Sequence, residues 1–330
     1  MFANCCKPNR ADIVEEGKEE AMSHSNIFPT FTIKDLAKAP GSVRKPGGSL
    51  CAHRRAAGRS IARRRALGAW SSGMIGLYRN CARSARRPRA QTPTQAKPLL
   101  DKCVEDTKAE SGCLYYGWTI KEDGSKLFCR ETYVDGAAAG HHLSCVAKSG
   151  ALGEALEKGY IALDNIDLMG TESDIADAKK VPEFAGFGLG SWKVWDSFQN
   201  FKQTSADEAS TADFFTIQPT FTIKDLKKAE PFMKKCVDLT QNEKGCMYYG
   251  WTIQGDKLFC REAYVDAAAV QAHLDNIVPS VGEMLDSGAA SLDKIEFHGP
   301  KEGWPTFKKT ADGFGGIYWD RYASFSKFKM

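Results

Sequence analysis

Between residues 219 and 299 apolar and polar positions follow two different rhythms, and the switches between them predict an ordered run of strands and helices. Thr220 to Lys224 alternates and is β-branched, so it reads as a first strand. Phe232, Met233, Cys236, Val237 and Leu239 supply the buried stripe of a helix that starts at Asp225 or at Glu230-Pro231, Pro being tolerated in a first turn. Cys246 to Ile253 and Lys257 to Val265 are strand-like runs around Gly255-Asp256, which predicts a hairpin. Asp266 caps a second helix carrying Val270, His273, Leu274 and Ile277, with a break expected near Pro279 and a further turn around Met284 that ends at Gly288. Leu292 to His298 is a fourth strand. The order β-α-β-β-α-β is that of a ferredoxin-like unit.

The same pattern is written earlier in the chain. Pro29 to Leu36 is identical to Pro219 to Leu226, Tyr115 to Ile120 to Tyr248 to Ile253, and Lys126 to Glu131 to Lys257 to Glu262. Two long copies are not a solenoid, which needs three or more short units. The expected fold is α+β: two tandem ferredoxin-like units whose helix-free sheet faces close on each other as an intramolecular dimeric α/β barrel. Each unit has a tail, at about 171 to 202 and 300 to 330, in which Gly186-Phe187-Gly188 matches Gly313-Phe314-Gly315, Trp195-Asp196 matches Trp319-Asp320, and Ser197-Phe198 matches Ser324-Phe325. Their density of aromatics predicts that the tails pack on the barrel. The expected organisation is a polar tail at 1–27, a first unit at 28–202, a linker at 203–218 and a second unit at 219–330.

The copies lie 190 residues apart at Pro29 and Pro219 but 133 apart at Cys103 and Cys236, so 57 residues are extra in the first, at about 40 to 96. That segment holds twelve Arg and Lys45 with no Asp or Glu; with +4 for the whole chain and +13 here, the remainder carries −9. An arginine run can contact phosphates or anionic lipid, and an acid-free Arg/Ser-rich stretch looks like an organelle transit peptide. Its place inside a repeat, just before a helix, suits neither, which leaves a disordered functional loop or translated non-coding sequence as the other readings. Nucleic acid is not the expected partner, because only this segment is basic.

No apolar run approaches the ~20 residues that span a bilayer, and the first 27 residues lack a signal-peptide core. A cytoplasmic protein is expected, an organelle staying open. Eleven cysteines without a Cys-x-x-Cys pair or metal spacing read as buried free thiols rather than disulfides or ligands.

Pairing Gln254 with Lys257 fixes the hairpin register. Cys260 then faces Trp251, Glu262 faces Tyr249 and Tyr264 faces Met247, so Trp251, Tyr249, Glu262 and Tyr264 share one side of the sheet. Trp118, Tyr116, Glu131 and Tyr133 are their first-copy equivalents. Which side meets the helices stays open. His273 lies at the edge of its helix's apolar stripe and His142 is its counterpart; each is either a proton-transfer residue in a cleft or a core histidine hydrogen-bonded to its Glu. Gly136 and Gly140 weaken the second helix of copy one by about 1 kcal/mol each relative to Ala, so copy two is the expected seat of any activity.

The run Glu243-Lys244-Gly245-Cys246-Met247-Tyr248, with Glu262, Tyr264 and His273-Leu274, resembles the antibiotic biosynthesis monooxygenase (ABM) family of dimeric α/β-barrel proteins. Glu110-Ser111-Gly112-Cys113-Leu114-Tyr115, Glu131, Tyr133 and His142-Leu143 carry the same likeness in copy one. The resemblance implies a cofactor-independent monooxygenase acting on a small phenolic or quinol-type substrate. A neutral histidine would take the substrate proton, a Tyr or Trp donor would hold the oxyanion, and the anion would react with dioxygen directly. In this reading His273, Glu262, Tyr264, His142, Glu131 and Tyr133 are catalytic, Trp251, Tyr249, Trp118 and Tyr116 bind the ring, and no cofactor is needed. The alternative is a non-catalytic barrel that binds a hydrophobic ligand or serves assembly. The first strand, Thr220 to Lys224, has no Asn, a departure from the haem-degrading branch of the same superfamily.

Overall fold

A computed structural model describes residues 24–34, 95–148, 150–203 and 214–329. Residues 1–23 of the expected tail, 40–94 of the arginine segment and 204–213 of the linker lie outside them. The first half runs β1 (Ser25–Ile33), α1 (Lys97–Lys108), β2 (Cys113–Lys121), β3 (Lys126–Tyr133), α2 (Gly136–Lys148), α3 (Gly150–Glu157) and β4 (Ile161–Gly170). Its tail adds α4 (Glu172–Ala178), α5 (Pro182–Gly186), β5 (Gly190–Gln199) and β6 (Lys202–Gln203). The second half runs β7 (Phe215–Ile223), α6 (Leu226–Thr240), β8 (Cys246–Gln254), β9 (Lys257–Tyr264), α7 (Ala267–Asp286) and β10 (Ala290–Gly299), followed by α8 (Trp304–Asp312), β11 (Ile317–Ser326) and β12 (Phe328–Lys329).

This mixed α+β chain closes a ten-stranded barrel in the order β1-β3-β2-β11-β10-β7-β9-β8-β5-β4. The tails do not merely cover the barrel, as expected, but supply staves of it. β5 runs parallel to its own β4 and antiparallel to β8 of the other half, and β11 does the same between β10 and β2. The exchange satisfies the hydrogen-bonding edges that two separate four-stranded sheets would leave open. It also corrects the tail alignment. Met169 pairs with Trp192 as His298 pairs with Trp319, so Trp192 is the counterpart of Trp319, while Trp195 falls at a bulge between Val194 and Asp196.

Three element boundaries differ from expectation. β7 begins at Phe215 rather than Thr220: Pro219 has no N–H to give, yet β7 pairs with β10 throughout, and the ladder to β9 lapses at Gln218 and Pro219 before resuming. β1 correspondingly starts at Ser25 and so includes Asn26. α7 continues through Pro279 because Ile277, Ser280 and Met284 keep one buried face across it, whereas the first half does split, into α2 and α3. The first helix of the second half starts at Asp225, whose side chain accepts from the Lys228 amide at 3.2 Å.

Gly136 is not an eroded helix position. A Cβ there would lie 1.9 Å from the Asp174 carbonyl oxygen, since α2 packs directly on the N-terminus of α4 and the Gly136 amide donates to Asp174 Oδ1 at 2.9 Å.

β2 and β8 are buried on both sides, which is why they read as nearly unbroken apolar runs. Outward faces pack under the helices of their own half, around Phe31, Trp118 and Leu143 in the first and Phe221, Trp251 and Leu274 in the second. Inward faces mix the halves: Phe28, Phe128 and Met169 meet Phe259 and Trp319 in one layer, and Tyr115 meets Tyr248 in another.

Candidate functional site

The shared face of the hairpin turns to the helices. Along β9, Glu262 and Tyr264 alternate outward; along β8, Tyr249 and Trp251 do so beside them. The predicted pairs Gln254–Lys257, Trp251–Cys260 and Tyr249–Glu262 are present, but Tyr264 faces Cys246 rather than Met247. A bulge between Cys246 and Tyr248 inserts one residue and sends Met247 to the inner face, and the first half has the same bulge between Cys113 and Tyr115.

α7 lowers His273 onto this face, 2% exposed. Its Nδ1 is 2.8 Å from Glu243 Oε2 and its Nε2 3.1 Å from Glu262 Oε2, so the imidazole bridges two carboxylates. The Tyr264 hydroxyl donates to Glu262 Oε2 at 2.9 Å, and Asn276 Nδ2 donates to Glu243 Oε1 at 2.7 Å. His142 repeats the arrangement: Nδ1 is 3.0 Å from Glu110, Nε2 3.4 Å from Glu131 Oε2, and Tyr133 donates to Glu131 at 2.8 Å. Tyr264 and Tyr249 rings contact His273, as Tyr133 and Tyr116 contact His142. All ten residues singled out in the sequence therefore gather at two equivalent places.

Sequence reasoning missed Glu243 and Glu110 as site members. Both precede the second strand in the repeated Glu-x-Gly-Cys run, and a polar residue repeated beside an apolar strand was the available signal. Gly245, at φ +94, is what lets the chain turn there and present Glu243 to the helix. In the first half the tail of the second half secures the same turn: Lys327 Nζ donates to the Glu110 carbonyl at 2.7 Å.

The electrostatics favour a charged histidine over the neutral one expected. Burial pushes the His273 pKa down, but the Glu262 charge and the hydrogen bonds to Glu243 and Glu262 outweigh it and raise it to about 9. His142 is raised on the same grounds, against the same burial. With a pKa near 9, His273 is an imidazolium at neutral pH, and the His142 pKa moves in the same direction. Glu131 is itself raised, chiefly by burial, with His142 and Tyr133 opposing. The oxyanion donors also need correcting. Trp251 Nε1 is spent on the Met233 carbonyl at 3.2 Å and the Tyr264 hydroxyl on Glu262, whereas Trp118 Nε1 finds no partner among the described residues.

Each cluster borders an apolar cleft between sheet and helices. The first, about 30 Å³, is lined by residues including Phe31, Trp118, Leu143 and Phe187; the second, about 40 Å³, by their counterparts Phe221, Trp251, Leu274 and Phe314. Among the described residues no group of His, Cys, Asp and Glu is placed to hold a metal ion, and no helix is long and apolar enough to cross a membrane. The described cysteines are free, and all but Cys145 are buried.

No family model matches the chain, and no curated protein matches it. Solved structures do match. MupZ from Pseudomonas fluorescens is 28% identical over 32% of this chain and 88% of its own, with a TM-score of 0.31. A candidate monooxygenase from Fusobacterium nucleatum is 12% identical over 84% of this chain and 91% of its own, TM-score 0.45. An anthrone oxidase-like protein is 8% identical over 93% and 92%, TM-score 0.34.

Proposed function

We propose that each half is a ferredoxin-like unit, that the two pair within the chain as a dimeric α/β barrel does between chains, and that the protein is a cofactor-independent monooxygenase of phenolic or quinol-type substrates. The observation that carries this reading is the imidazole held between two carboxylates beside an apolar cleft, present in both halves. With the imidazole protonated, the base is the carboxylate: Glu262, or Glu131, accepts the phenolic proton on Oε1, while His273 and Tyr264, or His142 and Tyr133, hold its Oε2. The substrate anion then gives electrons to dioxygen at a ring carbon. One oxygen atom becomes a new carbonyl there, and the other leaves as water with the hydrogens lost from that carbon and from the hydroxyl.

Oxygen uptake with a panel of hydroquinones, naphthols and anthrols tests this. Wild-type protein should consume one dioxygen per substrate oxidised, and Glu131→Gln/Glu262→Gln should lose about 10²- to 10⁴-fold in rate. Absence of uptake with every member of the panel would refute it. One observation favours the second reading, a non-catalytic ligand-binding barrel: the clefts hold only about 30 and 40 Å³, whereas the barrel interior holds about 240 Å³.

A further inference from the structure

The inward faces of the strands line a lumen in layers. At one end Asn165 and Lys294 are exposed and Thr30 and Thr220 half-buried, which makes a mouth. One layer deeper stand Phe128, Phe259, Trp192 and Trp319 around a cavity of about 240 Å³. A dry cavity of about 150 Å³ already takes up benzene, so this one has room for a larger ring system.

The next layer, two residues further along β3 and β9, carries Arg130 and Arg261. They are 8% and 2% exposed, and neither forms an ion pair among the described residues. The Nε and Nη1 atoms of both find no hydrogen-bond partner there. Aromatic contacts support them instead: Arg130 lies over Tyr115 and Phe214, and Arg261 over Tyr248, to whose hydroxyl it also donates. Two buried guanidiniums without a counter-charge are costly. Around Arg130, Thr216 Oγ1 and His298 Nε2 are likewise unpartnered. These three border a space of about 10 Å³, room for one water-sized group, which meets the large cavity at Phe128 and Gln218.

We infer that the lumen is a binding site for a compact aromatic carboxylate, its ring among Phe128, Phe259, Trp192 and Trp319 and its carboxylate against Arg130, Thr216 and His298. The acidic groups set the orientation. Asp167 and Glu296 line the cavity on its mouth side, where Glu296 is already engaged by Lys294 at 2.6 Å and by Trp319 Nε1 at 3.1 Å, whereas the guanidiniums of the deeper layer lack a counter-charge, so an anion is drawn to the arginine layer. The walls are unequal at equivalent places: Gln218, Thr216 and His298 stand where the other half has Phe28, Asn26 and Met169. Such a lumen favours one ligand in one direction rather than two related by symmetry.

The probe is 2-naphthoate, titrated calorimetrically into the full chain beside methyl 2-naphthoate, which keeps the ring and loses the charge. The acid should bind at least tenfold more tightly than the ester. Arg130→Met should weaken the acid by about 10- to 100-fold and leave the ester little changed. Thr30→Trp, at the half-buried mouth, should abolish both in a variant whose circular dichroism matches that of the wild type. His273→Gln should alter neither, which separates the lumen from the outer cleft. Acid and ester binding equally, binding that survives Thr30→Trp, binding that fails in His273→Gln, or no heat with either ligand would each overturn the assignment.

Discussion

The outer clefts of the two halves are near copies, and the two walls of the lumen are not. His142 and His273 sit between matching glutamates, at 3.0 and 3.4 Å in the first half and 2.8 and 3.1 Å in the second, with matching tyrosines behind them. Inside the barrel, Met169 stands opposite Trp192 in register where His298 stands opposite Trp319, and Arg321 has no basic counterpart, Val194 holding its place. A duplicated chemistry needs both clefts kept alike, whereas one asymmetric guest needs only one wall of a shared interior to be polar. Copy two is the expected seat of any activity, but the premise of a weakened copy one loses ground: Gly136 is a packing requirement, and the first cleft keeps each His, Glu, Tyr and Trp of the second, while Cys145 takes the place of Asn276.

The largest expected effect is catalytic. If the clefts are equivalent, His142→Ala and His273→Ala each retain roughly half the oxygen uptake, and the double variant falls by about 10²-fold or more; a single variant as inactive as the double would break the equivalence. Stability comes next. Glu262→Ala strands a buried imidazolium and should cost about 3–5 kcal/mol in urea unfolding. Glu131→Ala should cost less, because its contact to His142 is 3.4 Å against 3.1 Å.

A pH effect of similar origin follows. The folded pKa of His273 is raised, to about 9 from an ordinary 6.5, so its contribution is complete below about pH 6.5 and is lost as pH rises through about 9. Wild-type stability should fall by on the order of 3 kcal/mol across that window, and His273→Gln should flatten the fall. The smallest contrast lies within α2. Gly136→Ala, which meets the Asp174 backbone, should destabilise by about 1–3 kcal/mol. Gly140→Ala, whose Cβ would come no closer than 3.4 Å to the Ala178 Cα and Val181, should stabilise by up to about 1 kcal/mol.

Element order, the hairpin register as far as Tyr249–Glu262, and the gathering of His, Glu and Tyr were legible in the chain because they follow from side-chain periodicity and from a pattern written twice. Four features were not. The bulge before Tyr248 is a single-residue insertion that leaves no compositional mark. The exchange of β5 and β11 is a choice of partner between two equivalent sheets, to which the tail sequences are indifferent. Asn26 was beyond the predicted strand; it lies on the inner face, bonded to Thr132, away from the cleft. Glu243 stood only in the run that leads into the second strand and not among the site residues, since its role depends on a histidine 30 residues away.

The charge on the imidazoles decides whether histidine or glutamate is the base in either cleft. Nitrogen-15 NMR of the ring nitrogens of His142 and His273, followed through a pH titration of the full chain, reads it directly. His273 should be protonated on both nitrogens at pH 7 and release its proton near pH 9, and His142 should titrate above the ordinary 6.5. A neutral tautomer at pH 7, titrating at or below about 6.5, would contradict the imidazolium and return the base to histidine.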